Sequence, residues 1–264
     1  MKYKISLWGK TDKGKVRQRN EDNLKFDETI GFMAVADGMG GHNNGELASK
    51  MATELTYEKF KELTIKNEKP EVINKDYSLA ANRLINAFDY ANSKIFEESL
   101  NNEKNKGMGT TLTACVFSDL KISLVHIGDS RAYILREGKM IQISEDDSFV
   151  MDQYKKGNIT LEEAKKSSYR NVLTKALGVK PHNDYFVYES NLKPNDILIL
   201  ATDGLTKMLE DDEISRIAKK SENLCMISEE LINKANEKGG EDNITVIIAR
   251  IESQSFIEKI KNLI

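Results

Sequence analysis

TTLTACVFSDLKISLVHIGDSRAYILREGKMIQIS, residues 110–144, is the stretch on which the fold class turns. It contains four short runs, TTLTACVF, KISLVHIGD, RAYILREG and KMIQIS, parted by turn formers such as Glu137-Gly138. β-rich runs of this length between turn residues predict an antiparallel meander. Upstream, Ala80, Leu84, Phe88, Ala91 and Ile95 recur at spacings of four, four, three and four, and Leu47, Met51 and Leu55 recur at four. Each set falls on one helical face, which predicts two helices able to lie against a sheet. Before them, YKISLWG (3–9) alternates like a strand, and GFMAVAD (31–37) is the nearly continuous apolar run of a strand covered on both faces. Downstream, residues 148–176 are polar and helical, DILILATDG (196–204) gives another buried strand, two helices span about 211–237, and NITVIIARI (243–251) closes the sheet. This order lacks the strict alternation of a parallel sheet. It predicts an α+β fold in which antiparallel sheets pack on each other with helices outside.

Composition narrows the function. The 264 residues suffice for a core without disulfides, and no Pro-, Gly- or Ser-rich linker divides them, so one domain is expected. With 39 Lys+Arg against 42 Asp+Glu, the net charge of −3 gives no support to general nucleic-acid binding. Two Cys and three His argue against a disulfide scaffold or a zinc module. No apolar run approaches the roughly 20 residues of a membrane helix, and charge and Gly interrupt the N-terminus before a signal core could form. A cytoplasmic protein without membrane insertion is expected.

The informative feature is where the acids stand. Asp37 ends GFMAVAD, Asp129 ends SLVHIGD, Asp203 ends ILILATD, and Asp242 directly precedes NITVIIARI. Singly, Asp-Gly and Asp-Asn pairs are ordinary turn formers. Gathered at the ends of neighbouring buried strands, they would repel one another and lose hydration unless a cation neutralised them. The candidate ligands are all oxygen donors, which suits Mg²⁺ or Mn²⁺ better than Zn²⁺. Two such ions about 3.5–4 Å apart form an arrangement that splits phosphate esters. VRQRNEDN (16–23) adds a guanidinium at Arg17, which matches a phosphate in bidentate fashion, and carboxylates at Glu21 and Asp22.

Together, VRQRNED, VADGMGGH, GMGTTLTACVF, HIGDSRAYILREG, NVLTKALG, LILATDGL and GGEDNITVIIARI resemble, in order and approximate spacing, the metal-dependent protein phosphatases of the 2C type in their bacterial form. The resemblance spans about residues 1–252. It implies a four-layer αββα sandwich with a dinuclear metal site at one end, and a protein-serine/threonine phosphatase in which a metal-bridging hydroxide attacks phosphorus directly. It also implies a phosphoprotein substrate, an opposing Hanks-type Ser/Thr kinase, and a monomer.

Residue by residue, the resemblance makes Asp37 the bridge between two Mn²⁺ or Mg²⁺ ions and Gly38 a carbonyl ligand, with Asp203 and Asp242 completing the first site. Glu21 and Asp22 would hold metal waters or the second ion, and Arg17 the substrate phosphate. Asp129, sharing Asp203, would hold a third, weaker ion. Residues 148–170 would form a flap over the site, in which Thr160 and Glu163 read as a helix capping pair, and 253–264 a short helical tail. Met39 stands where eukaryotic members carry His, which leaves the acid for the leaving group unassigned. A Cys-dependent phosphatase is disfavoured, because Lys121 and Leu231 occupy the Arg position of C-x5-R. A weak or inactive binding module of the same fold is the alternative, although no acid of the set is missing.

Overall fold

In the computed structural model, which describes residues 3–39, 44–70, 72–118 and 120–253, two antiparallel sheets pack face to face. The first orders β1 (Tyr3–Asp12), β11 (Ile244–Ser253), β10 (Ile197–Ala201), β7 (Arg131–Arg136) and β8 (Lys139–Gln142). The second orders β2 (Asp22–Asp27), β3 (Phe32–Met39), β5 (Leu112–Ser118), β6 (Lys121–Ile127) and β9 (Phe186–Asn191), with the two-residue β4 (Gly109–Thr110) on the end of β3. Helices α1 (Asn44–Ile65) and α2 (Leu79–Asn101) cover the second sheet, while α5 (Asp203–Thr206), α6 (Asp211–Ala218) and α7 (Leu224–Glu237) cover the first.

The period of two along each strand builds the layers. In β3, Phe32, Ala34 and Ala36 face the helices, whereas Met33 and Val35 face the other sheet. In β10, Ile197, Ile199 and Ala201 meet helices, and Leu198 and Leu200 meet the first group between the sheets. Both strands are therefore buried on two faces, as their unbroken apolar runs predict. The α+β sandwich is as expected.

Three local expectations change. The predicted meander is divided: β5 and β6 lie in one sheet and β7 and β8 in the other. The chain crosses at residues 128–130, where Gly128 takes φ +111° and a Cβ would lie 2.5 Å from Thr111. In α1 the buried stripe is Ala48, Ala52, Tyr57 and Phe60, with Leu47 and Met51 only at its margin. Small residues lead because the helix start lies against strand backbone: a Cβ on Gly38 would be 2.0 Å from the Gly45 carbonyl oxygen. Lastly, Ser253 ends β11, and the tail expected beyond it lies outside the described residues. The α2 face is as the spacing predicts, with Leu84, Phe88, Ala91 and Ile95 buried.

Between the sheets and the later strands, α3 (Phe149–Lys155) and α4 (Leu161–Lys166) form a small helical pair. Thr160 and Glu163 close a reciprocal capping box, with Glu163 accepting from Thr160 N at 2.7 Å and Thr160 Oγ1 accepting from Glu163 N at 3.2 Å. Among the described residues, no helix is long and apolar enough to cross a membrane.

Candidate metal centre

Asp37 continues the face of Met33 and Val35, so its carboxylate stands where the layer between the sheets opens at one end. Asp129 follows β6, Asp203 follows β10, and Asp242 precedes β11 at that same end. These acids line one cavity of about 290 Å³ together with Arg17, Glu21 and Gly38. The structure thus brings together seven of the eight sequence-predicted residues. Asp22 does not line the cavity; it sits behind Asp37, its register partner.

The hydrogen bonds explain why these residues can hold position. Asp37 N donates to Thr111 Oγ1 at 2.9 Å, and Thr111 N and Thr110 Oγ1 donate to the Asp37 carbonyl at 2.9 and 2.8 Å. Gly38 N donates to the Glu21 carbonyl at 3.1 Å, tying two ligand-bearing segments together. Asp22 Oδ2 accepts from Thr202 Oγ1 at 2.8 Å and Thr245 Oγ1 at 2.6 Å, the first just after β10 and beside Asp203, the second in β11 near Asp242.

Burial makes Asp22, Asp37 and Asp129 resist ionisation. Asp22 is pushed up to about 7, first by burial, against the hydrogen bonds of Thr245 and Thr202, with Asp203 and Asp242 adding repulsion. Asp129 is likewise pushed up to about 7 by burial and then by Asp203. Asp37 lies well above the usual carboxylate range for the same two reasons, burial and then Asp22, Asp203, Asp129 and Asp242.

Two cations engage the rim. Arg17 is bidentate on Asp242, Nε to Oδ1 at 2.8 Å and Nη2 to Oδ2 at 2.8 Å, and Lys207 Nζ donates to Asp203 Oδ2. As the side chains stand, no three His, Cys, Asp or Glu among the described residues are grouped closely enough to hold one ion. A divalent ion on Asp242 would exchange with Arg17 there. The donors fit it: all are oxygens, and Asp22 Oδ1 and Asp203 Oδ1 are buried with no hydrogen-bond partner. A larger groove of about 720 Å³ between α6 and α7 offers no rival, because its Glu213, Glu229, Glu230 and Glu237 are each paired with a lysine.

Sequence reasoning missed two residues here. Asn243 lines the cavity and binds three backbone groups of the loop that carries Arg17: it accepts from Glu21 N at 2.8 Å and donates to the carbonyls of Lys13 at 2.9 Å and Arg19 at 2.8 Å. Its signal was the EDN motif, read for the acid alone. Lys207 also lines the cavity, and its signal is the spacing of four from Asp203.

The sequence model of the protein phosphatase 2C family matches residues 12–238. The serine/threonine phosphatase stp of Listeria monocytogenes (serotype 4b, strain F2365) is 34% identical over 242 residues, 90% of this chain and 93% of that one. The crystal structure of the Mycobacterium tuberculosis serine/threonine phosphatase PstP/Ppp superimposes with a TM-score of 0.83 at 32% identity, covering 95% of this chain and 100% of that one. A catalytic domain of PstP in complex with two manganese ions gives a TM-score of 0.80 at 31% identity, covering 95% of this chain and 100% of that one.

Proposed function

Since the chain belongs to the protein phosphatase 2C family, we propose that it is a metal-dependent protein-serine/threonine phosphatase that removes phosphate from phosphoserine and phosphothreonine in proteins. The observation that carries this reading is the gathering of Asp37, Asp129, Asp203 and Asp242 from four strand ends into one cavity. A cluster so buried and so repelling suits divalent cations and little else.

Asp37, Asp203, Asp242 and the Gly38 carbonyl would hold one Mn²⁺ or Mg²⁺ ion, with Asp37 shared by a second. Glu21 would take water of that second ion, and Asp22, held through Oδ2 by Thr202 and Thr245, would steady it from behind. When bound, the ions lower the pKa of water so that an oxygen nucleophile is available near neutral pH. Arg17, with half its side chain exposed, can turn from Asp242 to a phosphoryl group and offset charge on its oxygens. Attack is direct and forms no phosphoenzyme.

Residues 148–170 act as the flap, because Asn171 and Leu173 directly after them line the cavity. Its exposed Phe149 and Tyr169 stack edge to face at 5.9 Å, a surface for residues flanking the phosphate. The opposing enzyme is a cognate Hanks-type Ser/Thr kinase. The protein works as a cytoplasmic monomer. Hydrolysis of p-nitrophenyl phosphate and of a phosphothreonine peptide with Mn²⁺, Mg²⁺ or EDTA tests the proposal: turnover requires a metal and stops in EDTA, and turnover that persists in EDTA removes it.

A further inference from the structure

Lys207 is the only lysine lining the acidic cavity among the described residues. Its place follows from local geometry. Asp203 opens the single-turn helix α5, and Lys207 caps it, with Lys207 N donating to the Asp203 carbonyl at 2.8 Å. A spacing of four returns the lysine side chain to the aspartate, and Nζ donates to Asp203 Oδ2. Asp129 lines the same cavity after the crossover at Gly128. The ammonium therefore places a positive charge on Asp203 in the cavity that Asp129 and Asp242 also line.

Charge then limits what else can enter. Six acids, Glu21, Asp22, Asp37, Asp129, Asp203 and Asp242, stand against two side-chain cations, Arg17 and Lys207. Four negative charges remain, which two divalent ions neutralise. Removing Lys207 would leave a fifth charge beside Asp129 and Asp203, where the buried Asp203 Oδ1 already lacks a partner.

We propose that Lys207 serves as a built-in cation at the Asp129–Asp203 end of the cavity, holding this chain to two tightly bound divalent ions and excluding a third. The inference rests on the metal-dependent reading above and replaces its expected weak third ion. An ammonium is a compact point charge with three donors, so it can stand between two carboxylates as a small ion would. Unlike an ion, it cannot be removed by chelation.

Mn²⁺ titration of the full chain, followed by electron paramagnetic resonance of free Mn²⁺ and by calorimetry, gives the number of bound ions independently of activity. The wild type and Lys207→Arg should bind two. Lys207→Met should bind a third with affinity raised roughly ten-fold or more, and Lys207→Met combined with Asp129→Asn should return to two. Circular dichroism identifies any variant that fails to fold, in which case Lys207→Gln replaces Lys207→Met. Three ions in the wild type, or two in both Lys207→Met and Lys207→Gln, would overturn the proposal while leaving the phosphatase reading intact. A wild type that binds no Mn²⁺ would overturn both.

Discussion

Asp22 and Asp37 are direct partners in the antiparallel register of β2 and β3, so a buried and a half-buried carboxylate share one face of the sheet at its open end. Residues opposite one another on a strand pair are within reach, and like charges there destabilise. The fold accepts this only where something neutralises the pair.

Asp37→Asn removes the charge repulsion of that pair with little change of size. In EDTA at pH 8 the variant should be more stable than the parent by about 1 kcal/mol, measured by urea denaturation. Its gain in melting temperature on adding Mn²⁺ should shrink. A variant destabilised in EDTA would show that the Asp22–Asp37 pair is not under repulsion.

The pH dependence follows from the same groups. Asp22 and Asp129 titrate near 7 in the folded chain and near 3.9 when unfolded, so the folded state binds more protons between those values. Their contribution to stability is full below about pH 4 and is lost as pH rises through 7. Melting temperature in EDTA should fall across that window. With Mn²⁺ the trend should reverse toward pH 8, because ions bind the deprotonated acids. Parallel profiles with and without metal would contradict the assignment.

Arg17→Ala removes the guanidinium that is bidentate on Asp242. For a phosphothreonine peptide, kcat/KM should fall roughly ten- to hundred-fold, the value of a hydrogen bond to a charged group. Calorimetric Mn²⁺ stoichiometry should be unchanged. Native kinetics would leave Arg17 as a surface partner of Asp242.

Asn243→Ala leaves Glu21 N and the carbonyls of Lys13 and Arg19 without their shared partner. A loss of about 1–3 kcal/mol is expected for such a buried polar deficit, again by urea denaturation. Proteolysis should open the chain first near residues 13–21. Unchanged stability would mean the loop is held by other contacts.

What was legible in the sequence was what local pattern encodes. Continuous apolar runs located β3, β10 and β11, and the acids at their ends located the cavity. Helical spacing located the buried face of α2, and Thr160 with Glu163 located the start of α4. The strands that escaped, DNLKFD and FVYESN, are both sheet edges with mostly half-buried residues, where one covered face supplies too few apolar positions to stand out. Division of the meander could not be read, since strand pattern does not say which sheet a strand joins. Lys207 and Asn243 escaped for a related reason: their roles depend on a one-turn helix and on a loop some 220 residues away in sequence.

The most direct test of the central claim is phosphate release from a phosphothreonine peptide by the wild type and by Asp203→Asn, each saturated with Mn²⁺ and each shown to be folded. Asp203 draws β10, α5 and Lys207 to the cavity, so this substitution alters charge at its centre while keeping the side chain's size. The account predicts steady turnover by the wild type, abolished by EDTA, and none above background by Asp203→Asn. Equal release by the two proteins would contradict it.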